Sequence, residues 1–257
     1  MAASKFGTGK NTMTLTPRLV SYSSRHAAEI DDQPIIDIDQ DPVFTQHFLA
    51  ARPYTMTSKE TMFALYKATE YIAKRNLPGD FVECGVWRGG SALLAALTFA
   101  TLGDSARRFH LFDTYEGMTP PGDNDIDIGG VYAREYIESF SDDGKWCYAN
   151  MDDVTKTFNQ FNFSSPQMNF IKGDIRETIF ENVPDEIAIL RLDTDWYDST
   201  KLELELLYPR LVSGGVLIID DYGHWKGSKQ AVDEYFLTHP APLLNRVNYA
   251  VRICIKI

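Results

Sequence analysis

Hydrophobic positions fall along most of the chain in short runs separated by amphipathic stretches. The runs are Phe81–Val86, Phe109–Phe112, Met168–Lys172, Ile187–Leu192 and Gly215–Ile219. Being apolar throughout, they suit strands buried on both faces, and hence a mostly parallel sheet covered by helices. Between them, Ser91–Leu102, Asp152–Phe161, Ser199–Leu211 and Ser228–His239 carry the helical period. An earlier helix is predicted where Ser58-Lys59-Glu60-Thr61 leads into Met62, Phe63, Leu65, Tyr66 and Ile72, with Leu77-Pro78-Gly79 as its stop. Two last runs, around Arg246–Tyr249 and Ala250–Ile257, have no helix between them and predict an antiparallel pair at one edge. The expected fold class is α/β: a doubly wound, mostly parallel seven-stranded sheet, Rossmann-like, with an antiparallel C-terminal edge strand.

Two segments break this rhythm. Residues 1–55 are polar and mixed and are read as an N-terminal tail or lid, leaving 56–257 as one domain. Residues 114–150 are rich in Gly, Pro and Asp and long for a connection in a compact domain, as functional lids are. Following the second strand at its carboxyl end, this insertion is expected to overhang the ligand crevice of a doubly wound sheet.

Composition narrows the classes. Of 257 residues, 25 are Lys or Arg and 36 are Asp or Glu, giving a net charge of −11. That balance argues against a nucleic-acid binder, which needs clustered cations for phosphate contacts. Cys84, Cys147 and Cys254 lie far apart, which excludes a zinc knuckle and a disulfide framework. No apolar targeting segment opens the chain, and Ala92–Leu102 is too short to span a membrane, so a soluble cytoplasmic protein is expected.

Candidate chemistry sits at the strand ends. The first run carries Glu83-Cys84-Gly85-Val86-Trp87-Arg88-Gly89-Gly90-Ser91, and Asp113, Asp174, Asp193 with Asp195, and Asp220 with Asp221 follow the other four. One such acid is an ordinary helix cap or turn residue. Acids at all five ends converge on one crevice and need cations or hydrogen-bond donors to share it. A dinucleotide turn wants G-x-G-x-x-G, whereas here Glu83 opens E-x-G-x-x-x-G-G. A carboxylate suits a cationic ligand without phosphate, and S-adenosylmethionine fits that description. Glu83, Gly85, Gly89, Ser91 and Asp193 are then cofactor contacts, with Asp113 on the ribose hydroxyls and Asp174 on the adenine amine. Asp193, Asp220 and Asp221 form a hard-oxygen set suited to Mg2+ or Ca2+. His224 is a candidate substrate contact or a plain loop residue, and His110 reads as a core histidine with a satisfied ring. Trp87 and Trp196 either line the pocket or pack the helix–sheet interface. The triplets Asp37-x-Asp39-x-Asp41 and Asp123-x-Asp125-x-Asp127 lack the later residues of an EF-hand loop and read as solvated turns.

The motifs ECGVWRGGS, LFDTYEG, KGD, LRLDTDWYDST and YPRLVSGGVLIIDDYGHWKG…AVDEYF, in that order, resemble the macrocin-type O-methyltransferases over about residues 55–240. The resemblance implies a class I methyltransferase fold, S-adenosylmethionine, Mg2+ and a sugar hydroxyl as acceptor. It implies metal ligation by Asp193, Asp220 and Asp221. The base is Asp195 by analogy with some members and a histidine, here His224, by analogy with others. Two rivals stand beside it: a metal-dependent glycosyl- or phosphotransferase using the D-x-D at 193–195, and a non-catalytic S-adenosylmethionine-binding module. The expected partner is a small-molecule hydroxyl acceptor, a sugar or glycoside, and homo-oligomerisation is left open.

Overall fold

The apolar runs become adjacent strands because each can bury both faces only between two layers of helices. In the computed structural model, which describes residues 35–139 and 146–257, these are β1 (Asp80–Cys84), β2 (Phe109–Asp113), β3 (Met168–Lys172), β4 (Ile187–Leu192) and β5 (Leu211–Ile219). With β6 (Asn245–Arg246) and β7 (Arg252–Ile255) they form one sheet of order β3-β2-β1-β4-β5-β7-β6. The first five strands run parallel, and β7 is antiparallel to both β5 and β6. The reversed strand is therefore one place in from the edge, and the two-residue β6 closes the sheet.

After a single helical turn at Ile36–Asp39, the longer helices are α1 (Pro42–Ala51), α2 (Lys59–Lys74), α3 (Gly90–Thr101), α4 (Ala133–Ser139), α5 (Met151–Gln160), α6 (Ile175–Asn182), α7 (Tyr197–Leu206) and α8 (Lys226–Thr238). On one face of the sheet, α1, α2 and α3 bury Phe44, Phe48, Met62, Leu65, Leu93 and Phe99. Val232 of α8 and Leu204 of α7 pack on the other face with Leu190 and Leu217. The apolar stretch at Ala92 is thus a core helix, and no helix among the described residues is long and apolar enough to cross a membrane.

Residues 42–54 depart from the tail read over 1–55. Asp41 caps α1 by accepting from the Val43 and Phe44 amides, and Pro42 supplies a ready-made first turn. Phe44 and Phe48, one turn apart, then seat the helix in the core. Residues 1–34 lie outside the described part of the chain, as do 140–145 of the 114–150 insertion.

Candidate active site

Two close approaches build the floor of the crevice. After β1 the chain turns at Gly85 (φ +86°), where a Cβ would sit 1.9 Å from the Asp193 carbonyl oxygen. Only glycine lets the β1 turn and the end of β4 come that near. Gly89 (φ +86°) opens α3, and a Cβ there would lie 2.6 Å from the Phe158 ring. Asp113 spans this turn: Oδ2 accepts from the amides of Val86 (2.7 Å) and Trp87 (2.9 Å), and Oδ1 from Tyr115 (2.6 Å). Burial raises the Asp113 pKa against the pull of those amides. Ser91 is buried in the first turn of α3, its Oγ 3.7 Å from the Met62 sulfur.

A residue that strand patterning had not singled out organises the acids. Arg191 lies inside β4, 2% exposed at its side chain, in register with Glu83 on β1. Alternation along β4 puts Asp193 on the same side, and Asp220 follows β5 beside it. The guanidinium donates to Glu83 Oε1 (3.0 Å), Asp193 Oδ2 (2.6 Å) and Thr57 Oγ1 (3.2 Å). Asp220 Oδ1 pairs with the Arg191 charge at 3.0 Å from Nη2 and has no hydrogen-bond partner. Glu83 Oε2 is likewise buried without a partner. One cation cannot neutralise all of these carboxylates. Burial pushes Glu83 up to about 8, opposed by Arg191, and pushes Asp220 up to about 7.

Ligand-grade oxygens of Asp193, Asp220 and Asp221 lie within 4.8 Å of one another. Asp221 is 8% exposed, and burial with three neighbouring acids holds its carboxyl well above the ordinary range. Asp195 stands apart from that trio. It adopts φ +66°, its amide donates to Asp221 Oδ2 (3.1 Å), and its Oδ1 accepts the Trp225 indole N–H (2.7 Å). Burial, reinforced by Asp193, raises it to about 7. Beneath the loop, fully buried Glu203 of α7 sits 2.8 Å from Thr194 Oγ1 and is pushed by burial to about 8.

The other expected site residues have structural partners of their own. Asp174 caps α6 through the Arg176 amide (2.9 Å) and pairs with the Arg176 guanidinium (2.5 Å), which is the helix-cap role. His224 sits on Trp225 and Tyr249, with Nδ1 3.3 Å from the tyrosine hydroxyl, and burial lowers its pKa. His110 pairs with Asp80 (2.9 Å) while Nδ1 is buried and unpartnered, so its ring is only half satisfied. Trp196 is buried and donates to the Thr119 carbonyl (2.9 Å), while Trp87 stays half-buried beside Arg88.

The Asp123 triplet is not a solvated turn. Asp125 and Asp127 are buried and tie the insertion to the crevice rim. Asp125 accepts from the Tyr197 amide (2.8 Å), and Asp127 from Val131 N (2.8 Å) and Tyr136 Oη (2.6 Å). Asp127 also bridges in backbone to Trp225, and Tyr136 and Trp146 pack their rings on the same indole. The Asp37 triplet is partly structural too, since Asp39 pairs with Lys59 (3.0 Å) and Asp41 is the α1 cap.

A family model for macrocin O-methyltransferase (TylF) matches residues 49–245. The chain is 30% identical over 197 residues (77% of this chain, 73% of that protein) to the 8-demethyl-8-(2,3-dimethoxy-alpha-L-rhamnosyl)-tetracenomycin-C 4'-O-methyltransferase of Streptomyces olivaceus. It is 29% identical to the demethyldecarbamoylnovobiocin O-methyltransferase of Streptomyces niveus, covering 72% of this chain and 68% of that protein. Among solved structures, the O-methyltransferase NovP superposes with a TM-score of 0.70 at 27% identity, covering 79% of this chain and 82% of that one. The chain belongs to the macrocin O-methyltransferase family and is an S-adenosylmethionine-dependent O-methyltransferase with the class I fold.

Proposed function

We propose that the chain is a Mg2+-dependent O-methyltransferase acting on a hydroxyl of a sugar or glycoside. The observation that carries the reading is the imbalance of the crevice: of five buried or half-buried carboxylates, Glu83, Asp193 and Asp220 share Arg191, and Asp195 and Asp221 have no ion pair among the described residues. Buried oxygens without a hydrogen-bond donor on Glu83 and Asp220 and a compact all-oxygen trio fit a hard divalent cation, which prefers carboxylates. The sugar acceptor is supported by the S. olivaceus relative, whose name specifies a rhamnosyl compound.

When bound, S-adenosylmethionine supplies an electrophilic methyl carbon, and Mg2+ supplies positive charge that acidifies an acceptor hydroxyl. Asp193, Asp220 and Asp221 would hold that ion at the ends of β4 and β5. Asp195, whose Oδ1 is held by the Trp225 indole N–H at 2.7 Å, would take the acceptor's proton. The glycine turn and Asp113 shape the cofactor side, and the insertion anchored by Asp125 and Asp127 screens water from the reacting atoms. The glycosyl- and phosphotransferase rival is not favoured, since it leaves the Glu83 turn and the family match without a part to play.

Chelation tests the metal. Exhaustive EDTA treatment should abolish release of S-adenosylhomocysteine in the presence of a rhamnosyl acceptor, and added Mg2+ should restore it. Calorimetric binding of S-adenosylhomocysteine should survive chelation. Full turnover after chelation would reduce the trio to structural acids. For the cofactor side, Asp113→Ala should weaken S-adenosylhomocysteine binding by about 1–3 kcal/mol, because three backbone amides lose their acceptor. Unchanged affinity would remove Asp113 and its turn from the cofactor site.

A further inference from the structure

Asp195 poses a problem of division of labour. It lies two residues from Asp193, and its amide already bonds Asp221, so its carboxylate borders three oxygens suited to a hard cation. A fourth carboxylate so close would ordinarily join the ligand set, and a carboxylate bound to the metal is a poor base.

Trp225 stands in the way. Its indole N–H donates to Asp195 Oδ1 at 2.7 Å, and indole can neither ligate a cation through that nitrogen nor accept a proton there. The ring is 2% exposed and cannot follow the carboxylate if it swings. Trp196 meets it edge-on at 5.1 Å, Tyr136 at 5.8 Å and Trp146 at 6.4 Å. Its backbone is held at the start of α8 by the Asp221 carbonyl (3.0 Å) and by the bridge to Asp127. The donor is therefore fixed from two sides, by the β5 loop and by the insertion.

We infer that Trp225 is a positioning residue that reserves Asp195 for the acceptor's proton by keeping its carboxylate out of the Asp193–Asp220–Asp221 ligand set. The inference rests on Asp195 being the base. It also makes seating of the 118–139 segment a condition for a correctly held base, since Tyr136 and the Asp127 bridge brace the donor.

The test uses Trp225→Phe, which keeps an aromatic ring in the cluster and removes the N–H together with the five-membered ring that carries it. With Mn2+ as a paramagnetic probe and S-adenosylhomocysteine bound, the variant should take up Mn2+ at least as tightly as the parent. The S-adenosylhomocysteine Kd should be unchanged, while kcat falls by about 10- to 100-fold, the scale of one hydrogen bond to a charged group. The double variant with Asp195→Asn should be no slower than Asp195→Asn alone, because the lost bond has nothing left to position. Parent-like kcat in Trp225→Phe, or parallel loss of Mn2+ and S-adenosylhomocysteine binding, overturns the inference. If Asp195→Asn itself turns over normally, the assignment of the base falls and the inference with it. If Asp195→Asn is slow and Trp225→Phe is fast, only the inference falls.

Discussion

Replacing Arg191 with methionine is expected to cost about 3–5 kcal/mol of folding stability, the scale for stripping one partner from a buried ion pair. Methionine restores much of the apolar stem, so the loss is chiefly electrostatic. Glu83, fully buried, keeps only its own burial and the repulsion of Asp193 and Asp220. Urea unfolding measures the deficit, and a loss below about 1 kcal/mol would mean the carboxylates do without this cation. The deficit should shrink toward pH 5. A carboxyl whose folded-state pKa is raised holds a proton that the unfolded chain gives up. Its contribution therefore worsens as pH climbs from the ordinary carboxylate value toward the raised one, and eases as pH falls. Adding Glu83→Gln to Arg191→Met should recover part of the loss, since the amide carries no charge to leave unpaired.

Arg191 also shows where reading the chain stopped short. The run Ile187–Leu192 reads as a buried strand, and an arginine within it looks like an interruption to be tolerated. The signal was present: alternation puts Arg191 and Asp193 on one side, and the parallel register sets Glu83 opposite. Register between strands 108 residues apart is not visible along the chain, so the partner could not be named. The acids at the strand ends needed no such information, because a doubly wound sheet gathers all its carboxyl ends at one crevice.

The same contrast explains the fold. The inner strands are legible because burial on both faces demands largely apolar runs, in which Glu83 and Arg191 are the charged exceptions of β1 and β4. The start of β5 is not, since Leu211–Gly214 mixes apolar, polar and glycine positions. Helix α1 escaped because its apolar residues are not confined to one face, Val43 and Leu49 being exposed while Phe44 and Phe48 are buried, although Asp41-Pro42 marks a start. Asp125 and Asp127 were judged by a local calcium-loop pattern, yet their partners Tyr197 and Trp225 lie at the starts of α7 and α8. Trp225 was missed as a donor for that reason too, being 30 residues from the carboxylate it holds.

The largest catalytic effect is expected at Asp195. Asp195→Asn should lower kcat by about 10²–10⁴-fold, the usual share of a general base, while S-adenosylhomocysteine and Mn2+ affinities hold. Asparagine keeps the shape and still accepts the Trp225 N–H, so the loop geometry survives and only proton acceptance is lost. Asp193→Asn should behave differently: it removes a ligand and an Arg191 partner at 2.6 Å, so its loss should be partly overcome by high Mg2+. His224 is the competing base, but burial lowers its pKa, and its ring packs on Trp225 and Tyr249. His224→Ala is therefore expected to alter acceptor KM more than kcat. Normal turnover in Asp195→Asn together with a collapse in His224→Ala would transfer the base to the histidine. It would leave Asp195 as a strained loop residue whose φ of +66° serves only to bring its amide to Asp221.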